Sequence, residues 1–396
     1  MLFYDIVEHE EKIMLVNLRD ILSVADKYKY AQGAFNINSV TQIKAAIEIH
    51  EELRSPALLQ GANLANGFMG GRIDFQNCTI EEKRIGAKNI GDVVRRYADK
   101  TDIPIVLHLD HGNDFEACVA AIDGGYTSVM IDGSHLPYDE NVELTREVVK
   151  YAHARGVSVE GELGILAGVE DDVFSETSTY THPMQAIDFF KKTEVDALAI
   201  SYGTMHGPNK GKNAKIRKEI PIAIKECMLH EKIDGFLVSH GSSTVPQYIV
   251  EEINHLGGNI TDASGISVSQ LIEASKNGIN KINVDTDIRL ATTRNVRELL
   301  QKMPCLKNNG IIKQIDDILQ SNLSVSDPRL YLYPIMDTLM YGNIPSEEVQ
   351  MIIRAVELAV KEVVGTLIIQ FGSFGKATLV QQRTLDEMAE YYKNRV

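Results

Sequence analysis

The stretch IVLHLDHGNDF (105–115) is an aliphatic run that breaks off in Asp110 and His111 and then a glycine. A short apolar run bounded by turn residues reads as a buried strand, here IPIVLHLD (103–110). Charged groups at its end need a reason to be there. His108 keeps two-residue alternation with Asp110 and is expected to fill the interior behind it. Asp110 and His111 are neighbours, which a regular strand would point to opposite faces. At a strand's end that alternation relaxes, so both can serve one site.

Seven other runs share this character: YAQGAFNIN (30–38), PALLQ (56–60), TSVMIDG (127–133), GVSVEGELG (156–164), ALAISYG (197–203), GFLVSHG (235–241) and INKINVDTD (279–287). Between them, stretches such as 40–53, 141–156 and 183–192 carry apolar residues at helical spacing. Gly156, Gly278 and the pair Gly124 and Gly125 follow helical stretches, where a left-handed stop is needed. Eight strands alternating with helices predict a parallel sheet, and eight strands close a TIM (β/α)8 barrel. A doubly wound open sheet is the alternative, but no glycine-rich nucleotide fingerprint follows the first strand. The barrel is expected over about 15–305. A polar stretch (306–326) and helices near 345–366 and 380–393 are additions to it, so that 1–396 forms one domain.

The chain has 396 residues, 44% of them hydrophobic and none tryptophan, enough to bury a sizeable core. Lys and Arg total 40 against 55 Asp and Glu, a formal charge of -15. That balance argues against nucleic acid or an anionic membrane as partner. Positive charge for a phosphorylated ligand would have to be concentrated locally. Cys78, Cys118, Cys227 and Cys305 lie far apart with no CxxC pair, which fits a reducing cytosol. Acids interrupt the N-terminal apolar residues where a signal peptide would be continuous, and no run is long enough to span a bilayer. A cytoplasmic location is expected.

Polar residues cluster at one end of the strand candidates: Asn36, Asp110, His111, Asp132, Glu162, His206, His240 and Asp285. In a barrel all would converge on the C-terminal face, where such enzymes keep their active sites. His111, His206 and His240, each followed by glycine, suit a zinc site with a fourth position open to substrate oxygens. Such an ion is a Lewis acid for a carbonyl. Unrelated loop histidines are the plain alternative, and three at matching strand ends argue against it. Glycines among small polar residues in GTMHGPNKG (203–211) and HGSSTVP (240–246) can present amides to phosphate. NVDTD (283–287) opens a helix, another anion site, although ordinary capping explains any one of the three.

The motifs LHLDHG, SVMIDGSH, SVEGELG, GTMHGPNK, LVSHGSS, INKINVDTDIR and DPRLYL, in this order, resemble the class II, zinc-dependent fructose-bisphosphate aldolases. The resemblance runs from MLVNLRDIL to FGSFGKA. It implies that His111, His206 and His240 hold a catalytic zinc ion, and that Asp132 and Glu162 take a second divalent metal or an alternative zinc position. Asp110 would remove the C4 hydroxyl proton, and Glu170, on a mobile loop, would protonate the carbanion carbon. Gly207, Gly241, Ser243, Asn283 and Thr286 would hold the C1 phosphate and the dihydroxyacetone part. Asn36 and Asp285 would contact substrate, Lys210 and Arg289 the distal phosphate, and Arg329 would reach it from a neighbouring subunit of a homodimer or homotetramer. A monovalent cation, Na+ or K+, is a further cofactor of this reading.

The implied reaction is reversible cleavage of fructose 1,6-bisphosphate to dihydroxyacetone phosphate and glyceraldehyde 3-phosphate. Tagatose 1,6-bisphosphate or another ketose phosphate is the alternative substrate, and a non-catalytic sugar-phosphate-binding relative the remote one. Ala62, where the family usually has a substrate-contacting serine, is the main departure, with Asn63 as its potential replacement. Met205 and Pro208 also depart. Residues 1–13, the segment near 64–82 and residues 336–352 look longer than usual. A Schiff-base mechanism needs a lysine inside the barrel. Lys210 lies beyond the metal motif, so that mechanism is set aside.

Overall fold

The computed structural model describes residues 14–166, 168–170, 173–175, 179–207 and 215–395. Eight parallel strands close on themselves as a barrel. They are β1 (Gln32–Asn36), β2 (Ala57–Ala62), β3 (Ile105–Gly112), β4 (Ser128–Ile131), β5 (Ser158–Leu163), β6 (Ala197–Ile200), β7 (Phe236–Ser239) and β8 (Ile279–Val284). Each pairs with its sequence neighbours, and β8 pairs with β1. All eight lie on the runs read as strands, with β2 and β3 each continuing two residues past the runs 56–60 and 103–110.

Alternation decides what lies inside. Ala34, Leu58, Val106, Met130, Ala197, Ala199, Phe236 and Val238 pack together in the lower interior. Val16, Leu18, Ile21 and Leu22, in and before the helix Leu18–Tyr28, join them. Backbone bonding of Val16 to Ile105, the first residue of β3, puts this plug at the N-terminal end. Two residues further along the strands, the inward positions turn polar: Asn36, Gln60, His108, Glu160 and His240. The barrel is therefore apolar below and polar toward its C-terminal mouth. The opposite faces of the strands meet the surrounding helices in a second, larger apolar cluster.

Expected helices are present at Val40–Glu52, Tyr138–His153, Pro183–Thr193, Glu347–Phe371 and Leu385–Asn394. The polar stretch after 306 also contains one, Gly310–Ser321, which buries Ile312, Ile315 and Leu319 on one face. Between β5 and β6 stands a short antiparallel hairpin, Gly168–Glu170 with Val173–Ser175, that three-residue strands without periodicity did not announce. Gly125, Gly156 and Gly278 have φ of 97, 70 and 110 degrees, as a left-handed stop requires. Gly124 does not, for at φ -73 it continues the helical turn. The helix Glu347–Phe371 lies along the helices Val40–Glu52 and Thr286–Lys302. The last helix returns to the N-terminal end, where Tyr392 stacks on His153 at 3.6 Å.

His50 lies fully buried behind β1, edge-on to Phe35, with Nδ1 2.7 Å from the carbonyl of Ala46. Burial pushes its pKa down from the ordinary 6.5 to about 4. The unfolded chain therefore binds a proton between these values that the fold refuses, so stability is lost as pH falls from 6.5 to about 4. The loss amounts to about 3 kcal/mol. Urea unfolding of the wild type and His50→Phe at neutral pH and near pH 4 checks this. The wild type should lose about that much more than the variant, and parallel losses would refute it.

Candidate active site

The polar end of β3 explains how neighbouring residues share a face. Its pairing with β4 shifts register between Leu109 and Gly112, and His111 takes a left-handed φ of 49 degrees. A non-glycine residue held there costs on the order of 1–3 kcal/mol, and such strain gathers at functional sites. The irregularity brings Asp110 and His111 to one cluster: their ligand atoms and that of His240 lie within 4.8 Å of one another.

Asp110 is held from both sides. Asn36 Nδ2 donates to Oδ2 at 2.9 Å, and Asn283 Nδ2 donates to Oδ1 at 3.0 Å. Asn36 is itself set by Gln60, which donates to its Oδ1 at 2.8 Å. Four barrel strands thus fix one carboxylate, which is 1% exposed.

The three histidines come together, with ring centroids 4.8, 5.3 and 6.4 Å apart. His111 Nε2 faces His240 Nδ1 at 3.1 Å. Two ligands of one tetrahedral zinc ion lie about 3.3 Å apart, so this spacing suits a shared ion. On its other side His111 Nδ1 lies 3.2 Å from Asp132 Oδ2, and Asp132 Oδ1 accepts from the hydroxyl of Ser134 at 2.7 Å. His111, Asp132 and Glu162 form a second group of ligand atoms within 4.8 Å. Burial alone would lower the His111 pKa, but Asp110 and then Asp132 reverse this and hold it well above the usual histidine value. Burial likewise pushes Asp132 up, yet its bond to His111 leaves it well below the usual carboxylate range. So many buried acids around imidazoles make a cavity whose field favours a cation, and the donor set fits a divalent metal.

The loops after β6, β7 and β8 are stitched together. Gly241 has φ 60, and a Cβ there would lie 2.4 Å from the carbonyl of Met205, so only glycine lets the two loops approach. Ser243 Oγ accepts from the amides of Asp285 and Thr286 at 3.3 and 3.2 Å, capping the helix Thr286–Lys302 from the neighbouring loop. Asp287 returns the favour by accepting from the amides of Thr244 and Val245. Capping thus accounts for part of what the sequence suggested as anion sites. Gly207 also has positive φ, 79 degrees.

Two arginines stand beside these loops, each paired with an aspartate. Arg289 pairs with Asp285, and its Nη1 lies 3.1 Å from Asp327 Oδ2. The same Asp327 oxygen accepts from Arg329 Nη2 at 2.8 Å, and the Arg329 guanidinium lies 4.3 Å over the Phe75 ring. Arg329 therefore stands next to Arg289 within one chain. Lys210 lies outside the described residues. Glu170 ends the first strand of the hairpin, and its side chain is likewise outside them. The hairpin sits close to the loop that carries His206, since a Cβ on Gly168 would lie 2.3 Å from the carbonyl of His206. Ala62 pairs with Asp110 across the ladder, and Asn63 is buried at the start of the next helix.

Three buried groups were not foreseen as parts of the site. Glu160 Oε1 lies 2.7 Å from His240 Nε2, and Lys281 Nζ is 2.9 Å from Glu160 Oε2 and 3.3 Å from His108 Nε2. His108 fills the interior as expected, but as a polar partner bonded to Ser128, and not as packing alone. Lys281 is a lysine inside the barrel, where the sequence reading weighed Lys210 alone. The signal was available: Glu160 precedes Glu162, and Lys281 precedes Asn283, by the two residues that keep side chains on one face.

A closed parallel barrel whose C-terminal mouth gathers three imidazoles and three carboxylates has the architecture of a metal-assisted barrel enzyme. The family described as "Fructose-bisphosphate aldolase class-II" matches residues 16–376. A fructose-bisphosphate aldolase of Treponema pallidum (strain Nichols) is 42% identical over 338 residues, 82% of this chain and 92% of that protein. One from Giardia intestinalis is 37% identical over 380 residues, covering 96% of this chain and 99% of its own length. Among solved structures, the YdjI aldolase from Escherichia coli K12 superposes with a TM-score of 0.63 at 26% identity, over 92% of this chain and 100% of that one. The chain belongs to the class II fructose-bisphosphate aldolase family, whose members are carbon–carbon lyases and generally metal-dependent.

Proposed function

We propose that the chain reversibly splits fructose 1,6-bisphosphate into dihydroxyacetone phosphate and glyceraldehyde 3-phosphate, using a zinc ion held by His111, His206 and His240. The observation that carries the residue roles is the placement of Asp110, gripped by two amides, against the His111–His240 pair. Zinc bound there would supply a Lewis acid, drawing negative charge away from the carbon–carbon bond that breaks. Asp110 takes the C4 hydroxyl proton as the bond cleaves. Asn36 and Asn283 fix the orientation of its carboxylate for that transfer. Its burial excludes competing water.

In the same reading Glu170 protonates the carbanion carbon, and Asp285 contacts substrate hydroxyls. Gly207, Gly241, Ser243, Asn283 and Thr286 seat the C1 phosphate and the dihydroxyacetone part. Arg289, Lys210 and Arg329 take the distal phosphate. Asp132 and Glu162 suit a second divalent ion, because with His111 they form a separate ligand group. Na+ or K+ beside a phosphate rests on the family resemblance alone, as does a homodimer or homotetramer in which Arg329 serves a neighbour's site. A cytoplasmic location is supported by four cysteines that are all free thiols. No described helix is long and apolar enough to cross a membrane. The packing of Glu347–Phe371 along two barrel helices supports reading 1–396 as one domain.

Substrate choice is tested with the C4 epimers. The cleavage kcat/KM for fructose 1,6-bisphosphate should exceed that for tagatose 1,6-bisphosphate by about tenfold or more, since Asp110 must reach one configuration of the C4 hydroxyl. Equal values, or a preference for tagatose, would overturn the assignment.

A further inference from the structure

We propose that Glu160 and Lys281, buried beneath the three histidines, are a positioning pair that fixes His240 as a metal ligand. The inference rests on the reading of His240 as a ligand given above. Glu160, Lys281 and His240 side chains are all 0% exposed. A carboxylate can only accept, so the 2.7 Å contact of Glu160 Oε1 puts the neutral imidazole's proton on Nε2. Nδ1 then keeps its lone pair, and Nδ1 is the atom that faces His111 Nε2 at 3.1 Å. The tautomer that Glu160 selects is the one a shared metal needs. Asn283 Nδ2 lies almost equally near both ring nitrogens, at 3.2 and 3.4 Å, and donates to Asp110, so it selects neither.

Lys281 completes the arrangement. Its Nζ holds Glu160 Oε2 at 2.9 Å, which leaves Oε1 for His240. Behind it, His108 Nε2 is 3.3 Å away, and the His108 ring is anchored through Nδ1 to Ser128 Oγ at 2.8 Å. Apolar residues of the same volume would fill this space without the desolvation of two charges. The layer just below is made of such residues, Val106 and Val238 among them. What distinguishes the charged layer is its direct contact with a proposed ligand.

The test compares zinc affinity, by competition with a chromophoric chelator, with thermal unfolding of the metal-free proteins. The double variant Glu160→Gln with Lys281→Met removes both charges and keeps the volumes. Val106→Ala loosens the same barrel without touching His240. The double variant should bind zinc about 10–100-fold more weakly, and its kcat should recover with excess zinc. Val106→Ala should bind zinc as the wild type does while unfolding at a lower temperature. Zinc affinity of the double variant within about twofold of wild type overturns the proposal. Should that variant not fold, Glu160→Gln alone is read: weaker binding supports the pair, and unchanged binding overturns it. His240→Ala in the same assay separates the two levels of the argument. If it binds zinc as the wild type does, the ligand assignment itself fails. If it loses zinc while the double variant does not, only the positioning pair fails.

Discussion

Asp110→Asn is expected to lower kcat for cleavage by about a thousandfold, while the bound metal remains. General-base transfer is worth about 10²–10⁴ in rate. The substitution removes the base and keeps its outline between Asn36 and Asn283, whose amides donate to the two carboxylate oxygens. An asparagine can accept on one side only, so one of the two amides loses its partner, and KM is read separately from kcat to show it. Asp110→Ala removes even that and should be no more active. Metal content by elemental analysis and steady-state cleavage rates are the measurements. A kcat within about tenfold of wild type would remove Asp110 from the proton-transfer role.

Chelation should abolish activity, and zinc or cobalt should restore it. His206→Ala should do nearly the same in one step, because two imidazoles hold an ion far less tightly than three. Its kcat at limiting metal should fall by more than about a hundredfold and recover in part as zinc is raised. Full activity in a metal-free preparation would sink this reading. The competing chemistry is checked alongside. Lys281 is a lysine in the barrel interior, but its Nζ is engaged by Glu160 and His108 and is 0% exposed. Borohydride in the presence of substrate should therefore trap nothing on the protein, and a covalent adduct on Lys281 would contradict the assignment.

Much of this was legible because the barrel writes itself into the sequence. Aliphatic runs mark the strands, and the rule that active sites lie at the C-terminal mouth gathers Asp110, His111, Asp132, Glu162, His206 and His240 before any coordinates exist. What was hidden has physical reasons. Glu160 and Lys281 sit one alternation below the strand ends, where a charge looks like an interruption until its partner on another strand is known. The hairpin Gly168–Glu170 with Val173–Ser175 is too short to carry a period. The tie of Arg329 to Asp327, and through it to Arg289, depends on a chain reversal that spacing does not encode.

The helix Leu18–Tyr28 closes the lower end of the barrel. Above it the interior is filled by Leu58, Val106, Met130 and Val238, so the floor under the polar layer is solid. Whatever reaches the three histidines must arrive and depart through the C-terminal mouth, and the loops after the strands alone decide what passes.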